Sequence, residues 1–276
     1  MSLPSELYTP HLKTPARETI NYSPKIKYMK KTFFLWLFIA AAFFANSQGN
    51  TLYQVNVVKP KAGMRSAFEA SWKMHLDKFH NTSDKRNVYE VTSGPDDGSY
   101  VIVEGPMSYA DMDKTNSNSK EHGLDLEKNF SPKLEPGSSN SIVRWADTLS
   151  YKADAKAEKF LLTVTVIKDG KLGEVLTEFR RNALVSAKIN SPFSYSVLIK
   201  QQAGSSPTII SIRNLTNGYK ELDADYFKLP PTGFKDAYVK DYGQEAWDKR
   251  LKLLVDDVVS REQHFEEMRA DLSSKQ

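Results

Sequence analysis

The same order of strand and helix patterns occurs twice along the chain, and this internal repeat is the feature that most limits the possible folds. The apolar segment 160–168 matches the segment 52–59, and each is followed by an apolar helix pattern, two short strand patterns and a closing segment. Six pairs of matching segments occur in the same order in both halves. The sequence therefore predicts a tandem duplication of one β-α-β-β-α-β unit.

Hydrophobic spacing defines the helices and strands of each half. The first helix pattern has apolar residues at intervals of four, four, four and three, at Met64, Phe68, Trp72, Leu76 and Phe79. Strand patterns at 88–92 and 100–104 flank a Gly- and Pro-rich turn at 94–98, which is typical of a hairpin. In the second half, residues 223–243 interrupt the pattern and predict an inserted loop before a helix at 245–260.

Each half therefore predicts a ferredoxin-like split βαβ unit, with helices on one face of a four-stranded sheet. The other face of such a sheet would be exposed, and two sheets can bury these faces against each other. We expect an α+β fold in which two ferredoxin-like βαββαβ repeats, at 48–152 and 153–276, form a fused eight-stranded α+β barrel.

This order of elements resembles the dimeric α+β barrel superfamily, which includes antibiotic-biosynthesis-type monooxygenases, stress-responsive barrels and NIPSNAP-like proteins. The resemblance covers about residues 50–276 and rests on element order and the internal repeat rather than on a diagnostic motif. It implies both barrel halves in one chain, and hence a monomer. It also permits a cofactor-independent enzyme that uses pocket Trp, His, Asn or Arg side chains without a bound metal.

Residues 29–47 have the order of a secretory signal peptide. Lys30 and Lys31 precede 13 apolar residues at 33–45, and Ala45 and Ser47 stand three and one residues before Gln48. A run of this length matches a signal-peptide core and is short for a membrane span. We predict cleavage before Gln48 and a periplasmic or secreted protein. Residues 1–28 are predicted to be a leader from a wrongly assigned start codon.

Charge and composition exclude several function classes. The first 47 residues hold six of the 38 Lys and Arg and two of the 34 Asp and Glu, so residues 48–276 carry 32 of each and are formally neutral. Nucleic-acid binding requires a basic face, and a formally neutral chain without a run of Lys or Arg gives no support for one, so we predict no nucleic-acid partner. The absence of cysteine excludes disulfides, thiolate metal sites and cysteine nucleophiles.

No nucleotide-binding, hydrolase or metalloprotease motif occurs. The histidines are scattered, and His75 and His80 are five residues apart, a spacing that would point them away from each other on a helix. We therefore predict no metal site. The adjacent acidic pairs, including Glu266 and Glu267, are expected to be solvated.

The candidate ligand-binding residues are Trp72, His75, Tyr89 and Trp145. Trp72 and His75 are neighbours on the first helix pattern, and Trp145 lies in a strand whose alternate side chains would face the barrel. His264 and Arg269 are further candidates. Pairing the two halves by sequence places Arg180 opposite Trp72 and Ala183 opposite His75, so the first half would keep the site. Alternatively, the aromatic residues only fill the core.

Three functions remain open from the sequence. The chain could be an exported protein that binds a small apolar or aromatic ligand in the barrel, a cofactor-independent monooxygenase-like enzyme, or an interaction scaffold. Catalytic residues cannot be assigned, and no cofactor is predicted. A barrel interior filled by side chains would favour a scaffold, whereas a cavity with convergent polar groups would favour the first two.

Overall fold

The computed structural model describes residues 51–80, 85–114, 119–201, 206–223, 226 and 233–274. The predicted signal peptide and leader lie outside these residues. Gly49–Gln276 form one compact unit. Among the described residues, no helix is both long enough and apolar enough to cross a membrane.

Eight antiparallel strands form a closed barrel. They are β1 (Leu52–Val58), β2 (Arg86–Val91), β3 (Tyr100–Met107), β4 (Ser139–Trp145), β5 (Lys159–Ile167), β6 (Ser194–Lys200), β7 (Thr208–Asn214) and β8 (Val258–Met268). Their order around the barrel is β1-β3-β2-β8-β5-β7-β6-β4, and β4 pairs with β1 to close it. The predicted α+β class and eight-stranded barrel are confirmed.

Each half of the barrel has the strand order of a ferredoxin-like sheet. The first half reads β4-β1-β3-β2 and the second reads β8-β5-β7-β6. The two sheets join at two antiparallel seams. Tyr89 pairs with Met268 where β2 meets β8, and Val143 pairs with Lys200 where β4 meets β6.

Helices cover the outside of both sheets. They are α1 (Arg65–Phe79), α2 (Tyr109–Met112), α3 (Ser119–Asp125), α4 (Leu172–Lys188), α5 (Gly233–Tyr242) and α6 (Gln244–Asp256). The fourfold spacing in α1 places Phe68, Trp72 and Leu76 on one face, where they pack against Val88 and Ile102 of the first sheet. In the second half, Val175 of α4 packs in the same way against the outer face of the second sheet.

Two sequence predictions of the second half were wrong. The segment 223–243 is not simply a loop, because its end forms α5. Phe234, Tyr238 and Tyr242 are spaced by four and share a face, and Tyr238 is fully buried with its hydroxyl donating to Glu178 at 2.7 Å. The helix predicted at 245–260 ends at Asp256, since the β-branched pair Val258 and Val259 begins β8.

Candidate functional site

The barrel interior contains a cavity of about 440 Å³. Alternate residues of each strand face inward, and most of the residues that line the cavity are aliphatic or aromatic. The inward residues include Val55, Val101, Val103, Val143, Leu162, Leu198, Ile210 and Ile212, with Tyr53, Tyr89, Trp145 and Phe160. The connection 153–157 between β4 and β5 also lines this cavity. The interior is therefore not completely filled by side chains.

Glu266 is the only acidic strand residue among the described residues that line the cavity. It is 5% exposed, and its Oε1 lies 3.0 Å from Nε2 of His264. Burial raises the pKa of the Glu266 carboxyl above its usual value, and the hydrogen bond and charge of His264 oppose this change. A buried carboxyl group that retains its proton more strongly than usual is suited to exchanging a proton with a bound molecule.

Two tyrosines and a tryptophan add polar groups to the apolar wall. Burial and the nearby Glu266 charge raise the pKa of Tyr89 to about 12, and burial also raises the pKa of Tyr53. Both hydroxyl groups therefore stay protonated near neutral pH. The Tyr89 ring packs edge-on against Phe160 at 5.4 Å between centroids, and the Trp145 indole donates to Ser150 Oγ at 3.2 Å. These contacts fix the orientation of the aromatic wall.

A second cavity, of about 400 Å³, lies on the outer side of the first sheet. Trp72 and His75 of α1 line it, together with His80 and His122. Trp72 is buried, and its indole nitrogen donates to the backbone oxygen of Leu272 at 2.8 Å. His75 is 2% exposed, and burial lowers its pKa despite a hydrogen bond between its Nδ1 and Asp125 Oδ2 at 2.7 Å.

The structure does not bring the four predicted site residues together. Tyr89 and Trp145 line the barrel interior, whereas Trp72 and His75 line the outer cavity on the opposite face of the sheet. The reason is strand alternation: Val88 faces the helix layer, so its neighbour Tyr89 faces the barrel. Of the further candidates, His264 contacts Glu266, while Arg269 forms ion pairs with Glu69, Glu90 and Asp271 near the barrel's outer surface.

The predicted pairing of the two helices was wrong by one residue. Arg180 is exposed, and counting from the residue before each helix places Phe179 opposite Trp72 and Asn182 opposite His75. Phe179 packs against the core of the second half, as Trp72 does in the first. The contrast between an aromatic and a charged residue at this position therefore does not exist.

Two predictions about charged groups were also wrong. His75 and His80 do not diverge, because α1 ends at Phe79 and His80 leaves the helical path with φ −127° and ψ 32°. Glu266 and Glu267 are not both solvated, since they lie on a strand and point to opposite faces. Glu267 points outward and pairs with Lys159 at 3.0 Å. A strand assignment for 258–268 would have predicted that Glu266 and Glu267 face opposite sides of the sheet.

One solved structure with a TM-score above 0.5 supports the fold. No protein-family model matches the sequence, and no curated protein is significantly similar. An anthrone oxidase-like protein superposes with a TM-score of 0.52 at 12% identity, covering 80% of this chain and 92% of that chain. A monooxygenase candidate from Lactobacillus acidophilus NCFM gives a TM-score of 0.49 at 10% identity, covering 82% and 97%. Chlorite dismutase from Candidatus Nitrospira defluvii gives 0.46 at 6%, covering 80% and 92%. At these identities the likeness concerns the fold alone.

Proposed function

We propose that the closed barrel binds one small, largely apolar aromatic molecule in its interior. The observation that carries this proposal is the cavity of about 440 Å³, whose apolar wall is interrupted by a few polar groups. This volume lies within the range of small-molecule sites, roughly 300–1,000 Å³. An interaction scaffold would have no need of such a space, and side chains would be expected to fill it.

The polar groups define the chemistry of the expected ligand. Tyr53 and Tyr89 offer hydroxyl groups that remain protonated, and Glu266 offers a carboxyl group that ionises less readily than usual. These groups suit a ligand with a hydroxyl or carbonyl group on an aromatic body. Lys156, in the connection 153–157, is the single basic residue among the described residues that line this cavity, and Asp154 of the same connection also lines it.

Binding can be tested with N-phenyl-1-naphthylamine, a neutral aromatic probe that fluoresces in apolar surroundings. We expect saturable binding of one probe per chain. Ile210→Phe adds a ring to the cavity wall and should weaken binding at least tenfold. Val259→Phe adds the same kind of bulk at an exposed position of β8 and should bind as the wild type does. Circular dichroism would establish that both variants are folded, and equal binding by both would contradict the proposal.

Glu266 supports a second candidate, in which the barrel is an enzyme. Its carboxylate could accept a proton from an acidic C–H group of a bound ligand. The resulting carbanion could react with O₂, so that a CH₂ group becomes C=O and the second oxygen atom leaves as water. In this reaction the substrate supplies the electrons. The fold is shared with an anthrone oxidase-like protein, and anthrone is therefore a suitable first substrate.

Oxygen consumption distinguishes an enzyme from a binding protein. With anthrone as substrate, an enzyme should consume O₂ above the rate of the uncatalysed reaction. Glu266→Gln should lower this rate about 10²–10⁴-fold, the usual contribution of a general base. Glu267→Gln, at the outward-facing neighbour, should leave it unchanged. Probe binding without any acceleration of O₂ consumption would support the binding protein.

We also propose that the protein is exported and that Gln48 begins the mature chain. The support is the order of two lysines, a 13-residue apolar run and small residues before the cleavage position. The mass of the intact protein from the extracellular or periplasmic fraction should correspond to residues 48–276. A mature protein that retains residues 33–44 would contradict this proposal.

We further propose that the two halves arose by duplication of one ferredoxin-like unit. Both halves have the same order of strands in their sheets, and the six matching sequence segments occur in the same order. After such a duplication, one half can retain a site that the other half loses.

A further inference from the structure

Three histidine side chains from separate parts of the first half meet at one point on the outside of the barrel. His75 lies in the last turns of α1, His80 follows the end of that helix, and His122 belongs to α3. Their Nε2 atoms are 3.1 Å apart for His75 and His122, 3.1 Å for His80 and His122, and 3.3 Å for His75 and His80. We call these three residues the histidine cluster.

Hydrogen bonds cannot account for all three of these nitrogen–nitrogen contacts at once. In a neutral imidazole, each nitrogen carries either one proton or one lone pair. Among three nitrogens at least two are of the same kind, so at least one of the three contacts joins two donors or two acceptors. A cation located between the nitrogens removes this conflict, because it accepts a lone pair from each of them.

Asp125 fixes the tautomer of His75 that leaves a lone pair on Nε2. Oδ2 of Asp125 lies 2.7 Å from Nδ1 of His75, and a carboxylate oxygen can only accept a hydrogen bond. Nδ1 of His75 must therefore carry the proton, which leaves a lone pair on Nε2 directed at the other two nitrogens. Histidine ligands of metals commonly donate their second nitrogen to a carboxylate in this way.

The spacing within the histidine cluster matches tetrahedral metal coordination. Zinc binds imidazole nitrogen at about 2.0–2.1 Å, so neighbouring nitrogens in a tetrahedral site are roughly 3.3–3.4 Å apart. The observed separations of 3.1–3.3 Å differ from this by a few tenths of an ångström. A small outward movement of the rings would accommodate the ion.

We propose that the histidine cluster is a binding site for Zn²⁺ or a similar divalent transition-metal ion, coordinated through the three Nε2 atoms. Asp125 is a positioning residue that holds the His75 ring. Three protein ligands leave the fourth tetrahedral position for water or another exchangeable ligand, and the outer cavity of about 400 Å³ adjoins the cluster. The site is separate from the barrel interior, and neither proposal depends on the other.

Co²⁺ titration of the metal-free full chain tests the proposal, using protein purified with a tag that contains no histidine. We expect one equivalent of Co²⁺ to bind at micromolar concentrations and to give the intense visible absorption of tetrahedral Co²⁺, which one equivalent of Zn²⁺ then abolishes. His122 is more exposed than the other two ligands, so His122→Ala is the variant least expected to disturb folding. It should weaken binding at least 100-fold.

Two further variants complete the test. His264→Ala removes an imidazole outside the cluster and should bind Co²⁺ as the wild type does. Asp125→Asn should weaken binding about 10–100-fold while keeping the tetrahedral spectrum, as expected for a group that orients a ligand. Absence of micromolar binding by the wild type, or equal binding by the wild type and His122→Ala, would overturn the proposal. Equal binding by Asp125→Asn would overturn the positioning role.

Discussion

The carboxyl group of Glu266 loses its hydration when the chain folds, and the contacts in the folded protein compensate this loss only in part. His264 supplies one hydrogen bond at 3.0 Å, but burial has the larger effect and raises the pKa. In the unfolded chain the group ionises near pH 4.5, whereas in the folded chain it remains protonated to higher pH. Between pH 4.5 and the folded-state pKa, the carboxyl group is ionised more completely in the unfolded state than in the folded state. Over this range the group therefore lowers the free energy of unfolding as the pH rises.

Glu266→Gln should remove this pH dependence. We expect the variant to be more stable than the wild type at pH 7.5, by roughly 1–3 kcal/mol, with the difference shrinking as the pH falls to 4.5. Urea denaturation at several pH values measures the free energy of unfolding. Glu267→Gln is the matched control: Lys159 lowers the pKa of Glu267, so its contribution is present above pH 4.5 and is lost as the pH falls. The same pH trend in both variants would contradict the prediction.

The segment that follows β8 connects the end of the chain to the first half of the barrel. The backbone nitrogen of Arg269 donates to the Val88 oxygen, and Ser273 Oγ accepts from the Val88 nitrogen. Leu272 is fully buried in the core beneath α1, where its backbone oxygen accepts the Trp72 indole proton. These contacts join the final segment to Trp72 of α1 and to β2 of the first half.

Leu272→Ala should destabilise the protein by about 2–5 kcal/mol, because it leaves a cavity in a closely packed core. Leu222→Ala makes the same change at a partly exposed leucine and should cost less than about 1 kcal/mol. The midpoint and slope of urea denaturation measure both. Similar losses for the two variants would show that the final segment contributes little to the stability of the first half.

Among the secondary-structure elements, the sequence predicts those helices and strands that are determined by their own hydrophobic spacing. The strand patterns and α1 were recognisable because β-branched residues and a fourfold apolar spacing produce the same structure in many contexts. The histidine cluster was missed because it depends on where α1 ends and on the path of the chain to α3. A five-residue spacing separates two side chains only while the helix continues, and His80 lies just beyond its end.

The whole barrel depends on contacts that no local pattern reveals. The inward position of Glu266 follows from the register of β8 against β5, and the separation of Tyr89 from His75 follows from the face of the sheet that each occupies. The internal repeat nevertheless predicted the barrel, because two sheets with the same bare face can bury both faces against each other. The repeated order of elements thus predicts the barrel architecture, whereas the strand register determines which side chains line the cavity.

Closure within one chain leads to a prediction about assembly. Every strand of the barrel has a neighbour on both sides, and the seams β2–β8 and β4–β6 join the two halves of the same chain. No strand of the barrel is left to pair with a second molecule, so sheet extension gives no reason for association. Light scattering after size exclusion should give the mass of a single chain across a hundredfold range of concentration. A constant dimer mass would show that the helices on the outside form an interface, and would contradict the expectation that closure of the barrel makes the protein a monomer.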